Sequence, residues 1–435
     1  MSSNSNKSNV IPIIMMFLLF AMIAFVTNLC NPMGVIVKNQ FHVSNFEAQL
    51  GNFANFFAYL VMGIPSGLLL KKIGYKKTAL LAIAIGFTGV FLEYVSGWDS
   101  VQSFPVYLIG AFIAGFCMCM LNCVVNPMLN TLGGGGNKGN QLIQFGGVCN
   151  SLAATAVTIL VGAMIGDVSK AQISNATPAL FIALAIFAIV FVVLAIAKIP
   201  EPSIATSGDE KATTGAFKYR HFNLGILAIF LYLGVEVGLP TYVLQYLSTP
   251  KEVADGLAPG FGMDAGIAAT IAGVYWLLML CGRFVGGLIG GKVSSRTQVA
   301  VLASVVIIFV LIGMFAPTDT LVSIAGFEGS TGSFTTAQVP VGILFLVLGG
   351  LCTSVMWGGI FNMAVEGLGK YTEFASGMFM TMVFGGAILV PLQGWVADLT
   401  GSFLTSYIVV LICAAYILFY ALIGSRVSKT ADSEK

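Results

Sequence analysis

The sequence predicts an all-α membrane protein whose twelve transmembrane helices form two six-helix halves. Of the 435 residues, 57% are hydrophobic and only 9% are charged, and the mean hydropathy is +0.93. A soluble domain carries about 25% charged residues. Apolar runs long enough to cross a bilayer, which takes a helix of about 20 residues, recur along the chain. Short patterns also recur in the same order in both halves, as an internal duplication would leave them.

Hydropathy gives the order of the helices. The polar start, MSSNSNKSNV, is followed by an apolar run without a small-residue cleavage site, which predicts a retained first span. Several runs are longer than a straight span needs and imply tilt. The predicted helices cover residues 10–37, 46–70, 77–97, 104–132, 139–166, 176–198, 221–247, 263–291, 297–317, 338–366, 371–397 and 403–425.

Lys and Arg set the predicted orientation. If the N-terminus is cytoplasmic, 17 of the 20 Lys and Arg residues face the cytoplasm, and only Lys38, Lys170 and Lys251 do not. This bias predicts that both termini are cytoplasmic. The short loops suit a bacterial inner (cytoplasmic) membrane. The net charge of +2 comes with no basic patch that would indicate nucleic acid.

A polar stretch at residues 200–220 predicts a cytoplasmic linker between an N-terminal half, 1–199, and a C-terminal half, 221–435. Three loose matches relate the halves. They are GLLLKKIGYKKTAL from Gly67 with GLIGGKVSSRTQVA from Gly287, Asn28 and Pro32 with Glu236 and Pro240, and GFCMCMLNCVVNPM from Gly115 with GLCTSVMWGGIFNM from Gly350.

The fourth predicted helix carries Asn122, Asn126 and Asn130 at a spacing of four. This spacing keeps the three amides on one helical face. A carboxamide facing lipid without a hydrogen bond costs about 1–3 kcal/mol. We therefore expect this face to contact protein or water.

Several stretches resemble the major facilitator superfamily, and more closely its fucose:proton symporter branch. They are NLCNPMGVIVKNQFHVSNFEAQL at 28–50, IPSGLLLKKIGYK at 64–76, LNCVVNPMLNTLG at 121–133, CGRFVGGLI at 281–289 and GLGKYTEFASGMFMTMVFGGAILVPLQGWVAD at 367–398. The resemblance implies the major facilitator fold, with a site between the halves where helices 1, 4, 7 and 10 meet, and transport of fucose, glucose, galactose or related sugars. It departs at Asn31 and Asn122, where that branch has acidic residues. Amides do not take up protons near neutral pH, so proton coupling through these two positions is not expected.

Amide and aromatic side chains are the predicted substrate-binding groups, because sugars need bidentate amides for adjacent hydroxyls and a ring face for their C–H side. The alternative reading of the amides is interhelical packing, worth about 0.6 kcal/mol each; we prefer it for Asn52 and Asn55. The candidate amides are Asn28, Asn31, Asn122, Asn126, Gln144, Gln245 and Asn362, and the candidate aromatics are Tyr275, Trp276 and Trp357.

Glu236 is the acidic residue most clearly inside a predicted span, where a charge costs about 3 kcal/mol. We predict that it couples transport to an ion. Three roles stay open, namely proton acceptor, sodium ligand and permanently neutral acid. Glu93 and Glu366 lie near helix ends and are expected to be solvated.

Six basic residues, namely Lys71, Lys72, Lys76, Lys77, Arg283 and Arg296, are the predicted gating set. The family resemblance implies that they latch the halves on the cytoplasmic side, and the alternative is that they only enforce topology. The eight cysteines read as small buried hydrophobes, and no metal or cofactor is predicted beyond a coupling H⁺ or Na⁺.

The sequence therefore predicts a permease that imports a neutral monosaccharide such as glucose, galactose, fucose or mannose by alternating access, coupled to a cation. The expected partners are a small sugar and the lipid bilayer, with no nucleic acid, and the protein is expected to be a monomer. No cluster of nucleophile, base and orienting group indicates an enzyme. The alternatives are a permease or exporter for another small solute, such as a disaccharide, amino sugar or nucleoside, and a non-transporting sugar sensor.

Overall fold

A computed structural model describes residues 3–43, 50–165, 172–201, 215–252, 258–263, 265–328 and 333–427. The first six helices follow the predicted order closely. They are α1 (Ser3–Phe41), α2 (Leu50–Ile73), α3 (Tyr75–Ser96), α4 (Phe104–Leu132), α5 (Gly136–Ile165) and α6 (Ile173–Ile196). Most of the predicted linker lies outside the described residues, although its last part forms a short 3₁₀ turn, Gly215–Lys218.

The later part of the chain is more segmented than predicted. Its elements are α7 (Arg220–Ser248), α8 (Ala265–Gly290), α9 (Ser295–Phe315), strands β1 (Leu321–Glu328) and β2 (Ser333–Pro340), α10 (Val341–Thr353), α11 (Met356–Val365), α12 (Thr372–Thr381), α13 (Gly385–Thr400) and α14 (Ile408–Phe419). A π-helical turn, Tyr420–Gly424, follows α14.

Eleven helical segments within the described residues are long and apolar enough to cross a membrane. The segment α10 with α11 and the segment α12 with α13 each count as one of these spans. Helix α5 occupies the position of the remaining predicted span. The prediction of a twelve-helix, all-α integral membrane protein is confirmed.

Two features depart from the expected continuous helices and simple loops. Strands β1 and β2 pair antiparallel from Leu321 opposite Pro340 to Glu328 opposite Ser333. The predicted tenth span breaks between Thr353 and Met356, and the eleventh passes through a 3₁₀ turn at Met382–Phe384. Apolar composition predicts that a segment crosses the membrane, but it does not predict where the helix within that segment breaks or becomes a 3₁₀ turn.

The described chain packs as two compact units. The first contains residues up to Tyr219 together with Val365–Val383, and the second contains Arg220–Ala364 and Phe384–Ser428. Helix α12 therefore packs within the first unit, although it was predicted in the C-terminal half. The division within the eleventh span falls inside the 3₁₀ turn.

Glycines explain how α12 packs against α2. A Cβ on Gly67 would lie 2.7 Å from the Glu373 carbonyl oxygen and 3.0 Å from the Gly377 Cα. A Cβ on Gly377 would meet the Gly63 carbonyl oxygen at 2.6 Å. The two backbones are thus close enough that no side chain fits between them, as in small-residue contacts between membrane helices.

Candidate functional site

In the first unit, the amide face of α4 meets Tyr59 of α2. Asn122 Nδ2 donates to the Tyr59 hydroxyl at 3.0 Å and to the Met118 carbonyl at 3.1 Å. Asn126 Nδ2 donates to the Asn122 carbonyl at 2.9 Å. Asn126 is fully buried, whereas Asn122 retains 8% of its exposure. Both amides therefore contact protein, as expected, and Tyr59 is the partner of Asn122.

Sequence reasoning missed Tyr59. A signal was present, because Tyr59 lies four residues after Asn55 on α2 and so shares a helical face with it. Asn55 is also buried. Tyr59 therefore extends the polar face of α2 that Asn55 begins.

The remaining amide candidates of the first half divide into two groups. Gln144 is buried on α5, where its Nε2 lies 3.5 Å from Asn140 Oδ1 within the same helix. Asn28 and Asn31 lie on α1, but their side chains are outside the described part of the structure. Their substrate-binding role stays a prediction.

In the second unit, an ion pair joins α7 and α8. Arg283 Nη2 lies 3.6 Å from Glu236 Oε1, and the two side chains retain 14% and 12% of their exposure. Arg283 belongs to the predicted cytoplasmic gating set. The structure places it beside Glu236, because the face of α8 that carries Arg283 turns toward α7, and its gating role stays a prediction.

Tyrosines from the same helices converge on Thr353, the last residue of α10. The Tyr275 hydroxyl lies 2.7 Å from Thr353 Oγ1, and the Tyr232 hydroxyl donates to the Thr353 carbonyl at 3.2 Å. Tyr232 precedes Glu236 by four residues and lies beside it on α7. Since α10 ends at Thr353, its carbonyl is available to a side-chain donor. Both tyrosines are fully buried and support the helix break next to the ion pair.

The predicted aromatic and amide residues of this unit have different environments. Trp357 lies on α11 with its ring 6.3 Å from that of Tyr232. Trp276 contacts Tyr275 edge to face at 5.2 Å but is 47% exposed. Gln245 is exposed near the end of α7. Of the three aromatic candidates, Tyr275 belongs to the polar cluster, and Trp357 is the less exposed of the two tryptophans beside it.

Asn362 has a structural partner at the start of α9. It is buried, and its Nδ2 donates to Ser295 Oγ at 2.9 Å. The structure brings Asn362 to the residue preceding Arg296 rather than to the Glu236 cluster. Its geometry fits the packing alternative for the amides.

Two of the six predicted gating residues tie helix ends together inside their own units. Lys76 Nζ, in the first turn of α3, donates to the Ala195 and Ala197 carbonyls at the end of α6, at 2.8 and 2.7 Å. Arg296, in the first turn of α9, donates to Ser425 Oγ at 3.1 Å and to its carbonyl at 3.0 Å, just beyond α14. Cations stabilise the carbonyl end of a helix.

Glu201 completes the arrangement around Lys76. Its carboxylate accepts from the backbone N–H groups of Tyr75 at 2.7 Å and Lys76 at 3.0 Å, at the start of α3. A carboxylate is the favoured partner for the free N–H groups of a helix N-terminus. The end of α6 and the start of α3 therefore cap each other.

The other predicted gating residues lie at the junction of α2 and α3. Lys71 is half-buried, and its positive charge interacts electrostatically with the Glu373 carboxyl group of α12. Lys72 and Lys77 are exposed. Of the six basic residues, Lys71 is the one placed beside the packed contact of α2 with α12.

One expectation about acidic residues is wrong. Glu93, expected to be solvated, retains only 2% of its exposure, because α3 and α4 approach closely at Gly89 and Gly110. Glu366 is exposed, as expected.

A family model described as Major Facilitator Superfamily matches residues 16–339, which is well over half of the chain. The chain belongs to the Major Facilitator Superfamily.

The similarity to individual facilitators extends over almost the whole chain. The glucose/galactose transporter of Brucella abortus biovar 1 is 29% identical over 432 residues, covering 98% of this chain and 96% of the relative. The L-fucose-proton symporter of Escherichia coli K12 is 23% identical over 450 residues, covering 98% and 95%. Both relatives are transporters by name.

The fold also matches a solved facilitator. The crystal structure of the transporter FucP in the outward conformation superposes with a TM-score of 0.80 at 22% identity, covering 96% of this chain and all of that one. This likeness shows that the present chain has the major facilitator fold. The two polar clusters described above lie on helices of that fold, one in each unit.

Proposed function

We propose that this facilitator imports a neutral monosaccharide, such as glucose, galactose, fucose or mannose, by alternating access coupled to a cation. The relatives named above support the substrate class, since they carry glucose, galactose or fucose by name. The side chains fit that chemistry, because Asn122 is an amide that retains 8% of its exposure and is backed by Tyr59, and Trp357 is an aromatic ring beside a polar cluster.

The observation that carries the coupling proposal is the Glu236–Arg283 ion pair. Taking a proton from water turns Glu236 into a neutral acid and removes the charge that holds Arg283. The guanidinium, a planar set of five donors, then turns toward substrate hydroxyls. A sodium ion would act differently, by competing with Arg283 for the carboxylate. The symporter relatives favour the proton.

Within this proposal, the substrate-contacting residues are Asn28, Asn31, Asn122 and Trp357, with Arg283 joining them after protonation of Glu236. Asn126 and Asn362 serve packing, because each is buried and donates to a neighbour inside its unit. Lys71 and the glycine contact of α2 with α12 form the cytoplasmic latch. We further propose that the protein is a monomer in a bacterial inner membrane with both termini cytoplasmic.

Transport in proteoliposomes tests the function. The purified protein is assayed for counterflow of a panel of labelled sugars, amino sugars, disaccharides and nucleosides, with empty liposomes as control. We expect counterflow of a monosaccharide and of no nucleoside. Selective exchange of another solute class would replace the proposed substrate, and binding without exchange of any solute would support a sensor.

Imposed gradients then test the coupling. We expect a proton gradient, and not a sodium gradient, to drive accumulation by the wild type. Glu236→Gln should keep counterflow but lose gradient-driven accumulation. Unchanged accumulation by this variant would remove Glu236 from the coupling role.

A further inference from the structure

Glu93 is a buried acid for which the transport proposal has no use. It lies on α3, three residues before the helix ends at Ser96, and retains 2% of its exposure. Helix α4 covers it closely, since a Cβ on Gly110 would lie 2.8 Å from the Glu93 backbone N and 3.0 Å from its Cγ. The carboxyl group is thus enclosed where α3 and α4 meet.

The described helices packed against α3 bring no compensating charge near Glu93. Helices α4 and α6, which pack against α3, contain no Asp, Glu, Lys or Arg. On α3 itself the nearest Lys is Lys77, 16 residues away, or about 24 Å along the helix. Helix α2 also contacts α3, and its two lysines lie at its opposite end. The other titratable groups on these neighbours are neutral in water near pH 7, and they are Tyr59, Tyr107, Cys117, Cys119 and Cys123.

One oxygen of the Glu93 carboxyl also lacks a hydrogen bond within the described part of the chain. Its Oε1 is buried and has no partner among the described residues. A carboxylate in this position would be a charge in apolar surroundings with neither a cation nor a donor, which is strongly unfavourable. These surroundings therefore favour the neutral acid over the carboxylate. A purely structural acid would be expected to satisfy its oxygens, as buried polar groups generally do.

Water lies close to Glu93 along α3. Trp98 and Asp99, just beyond the helix, are exposed, and the Trp98 ring contacts Tyr94 edge to face at 5.6 Å. Aromatic pairs of this kind are typical of the membrane–water interface. Trp98 is five residues from Glu93, about 7.5 Å along the helix.

We propose that Glu93 is a proton-binding site, neutral in the conformation described, which exchanges its proton with water at the Trp98 end of α3 when α3 and α4 separate. Loss of the proton leaves a carboxylate that must stay hydrated, so the ionised form favours the separated helices. Rebinding of the proton allows Gly89 and Gly110 to close the contact again. The ligand is the proton alone, and the proposal does not depend on the solute that is carried.

Infrared spectroscopy of the full-length protein in lipid tests this site. A protonated carboxyl has a C=O stretch that a carboxylate lacks. At pH 7 we expect such a band in the wild type and its loss in Glu93→Gln, which keeps the size of the side chain. Asp99→Asn, at an exposed acid of the same region, should leave the band unchanged. Finding Glu93 ionised at pH 7 overturns the proposal.

Deuterium exchange tests access. In D₂O the Glu93 band should shift within the time of the native-state measurement, with no loss of helical signal. A Glu93 band that never shifts while the protein stays folded marks a sealed structural acid and also overturns the proposal. Glu93→Asp supplies a second variant in case the Gln variant folds poorly, and its band should shift faster because the shorter side chain packs less tightly. Glu236→Gln, measured in parallel, separates this site from the proposed coupling acid.

Discussion

Glu236 on α7 and Arg283 on α8 form an ion pair with an N···O distance of 3.6 Å. Helices α7 and α8 both lie in the second unit, so this unit carries and compensates its own intramembrane charges. Neither side chain is fully buried, and the distance is longer than that of a strong hydrogen-bonded pair. A pair of this kind can be broken and remade during a transport cycle.

The ion pair predicts how the stabilities of the single and double variants of Glu236 and Arg283 compare. Arg283→Gln leaves the Glu236 carboxylate poorly compensated and should lower the free energy of unfolding by about 1–3 kcal/mol, less than for a fully buried pair. The double variant Glu236→Gln with Arg283→Gln should recover part of that loss. Thermal or denaturant unfolding in detergent measures all four proteins of the cycle. Strictly additive effects would show that the two charges do not interact.

Lys76 should stabilise the first unit through the end of α6. Lys76→Met removes two hydrogen bonds to the Ala195 and Ala197 carbonyls and should reduce the unfolding free energy by about 1 kcal/mol. Lys77→Met, at the exposed neighbour, is the matched control and should have no measurable effect. Equal losses in both variants would assign the effect to the change in charge rather than to capping.

The arrangement around Lys76 shows how far the sequence could predict the structure. The match of the stretch from Gly67 with the stretch from Gly287 aligns Lys76 with Arg296, and both residues do bind the end of the last helix in their half. The repeat was therefore predictable from sequence, and so was the amide face of α4. The partners of these residues were not, because hydropathy and spacing place a side chain on a helix but do not fix how that helix is rotated against its neighbours.

The same limit explains why the partner of Arg283 and the burial of Glu93 were not predicted. Arg283 lies seven residues before the end of α8, inside the predicted helix 263–291, and it was counted with the cytoplasmic charges because positive charges are most often found on that side. Glu93 was expected to be solvated because it lies near a helix end. Its burial depends on the close approach at Gly89 and Gly110, which involves backbone contacts that one sequence does not display.

The contact of α2 with α12 should not tolerate a side chain. Gly377→Leu places atoms against the Gly63 carbonyl and Gly67, so we expect a loss of at least tenfold in transport rate at normal expression, which corresponds to about 1.4 kcal/mol. The matched control is Gly273→Leu on α8, where a Cβ would meet nothing within 4 Å. Counterflow measures both variants. Full activity of Gly377→Leu would show that α2 and α12 need not pack this closely during transport.

Variants of Asn122 and Asn126 should show which amide of α4 contacts substrate and which serves packing. Both are amides on one face of α4, but Asn126 is fully buried and donates to the Asn122 carbonyl, whereas Asn122 retains exposure and is oriented by Tyr59. Asn122→Ala should therefore raise the KM for counterflow by about tenfold, since an amide–hydroxyl contact to substrate is worth about 1–1.5 kcal/mol, and should also lower stability by about 1 kcal/mol through loss of the Tyr59 bond. Asn126→Ala should lower thermal stability by an amount equivalent to about 0.6 kcal/mol and leave KM unchanged.

Tyr59→Phe should also raise KM, but by less than Asn122→Ala does, because Asn122 keeps its bond to the Met118 carbonyl. If Asn122→Ala changes stability and not KM, the amide face of α4 serves packing throughout, and the substrate contacts of the first unit must come from other residues.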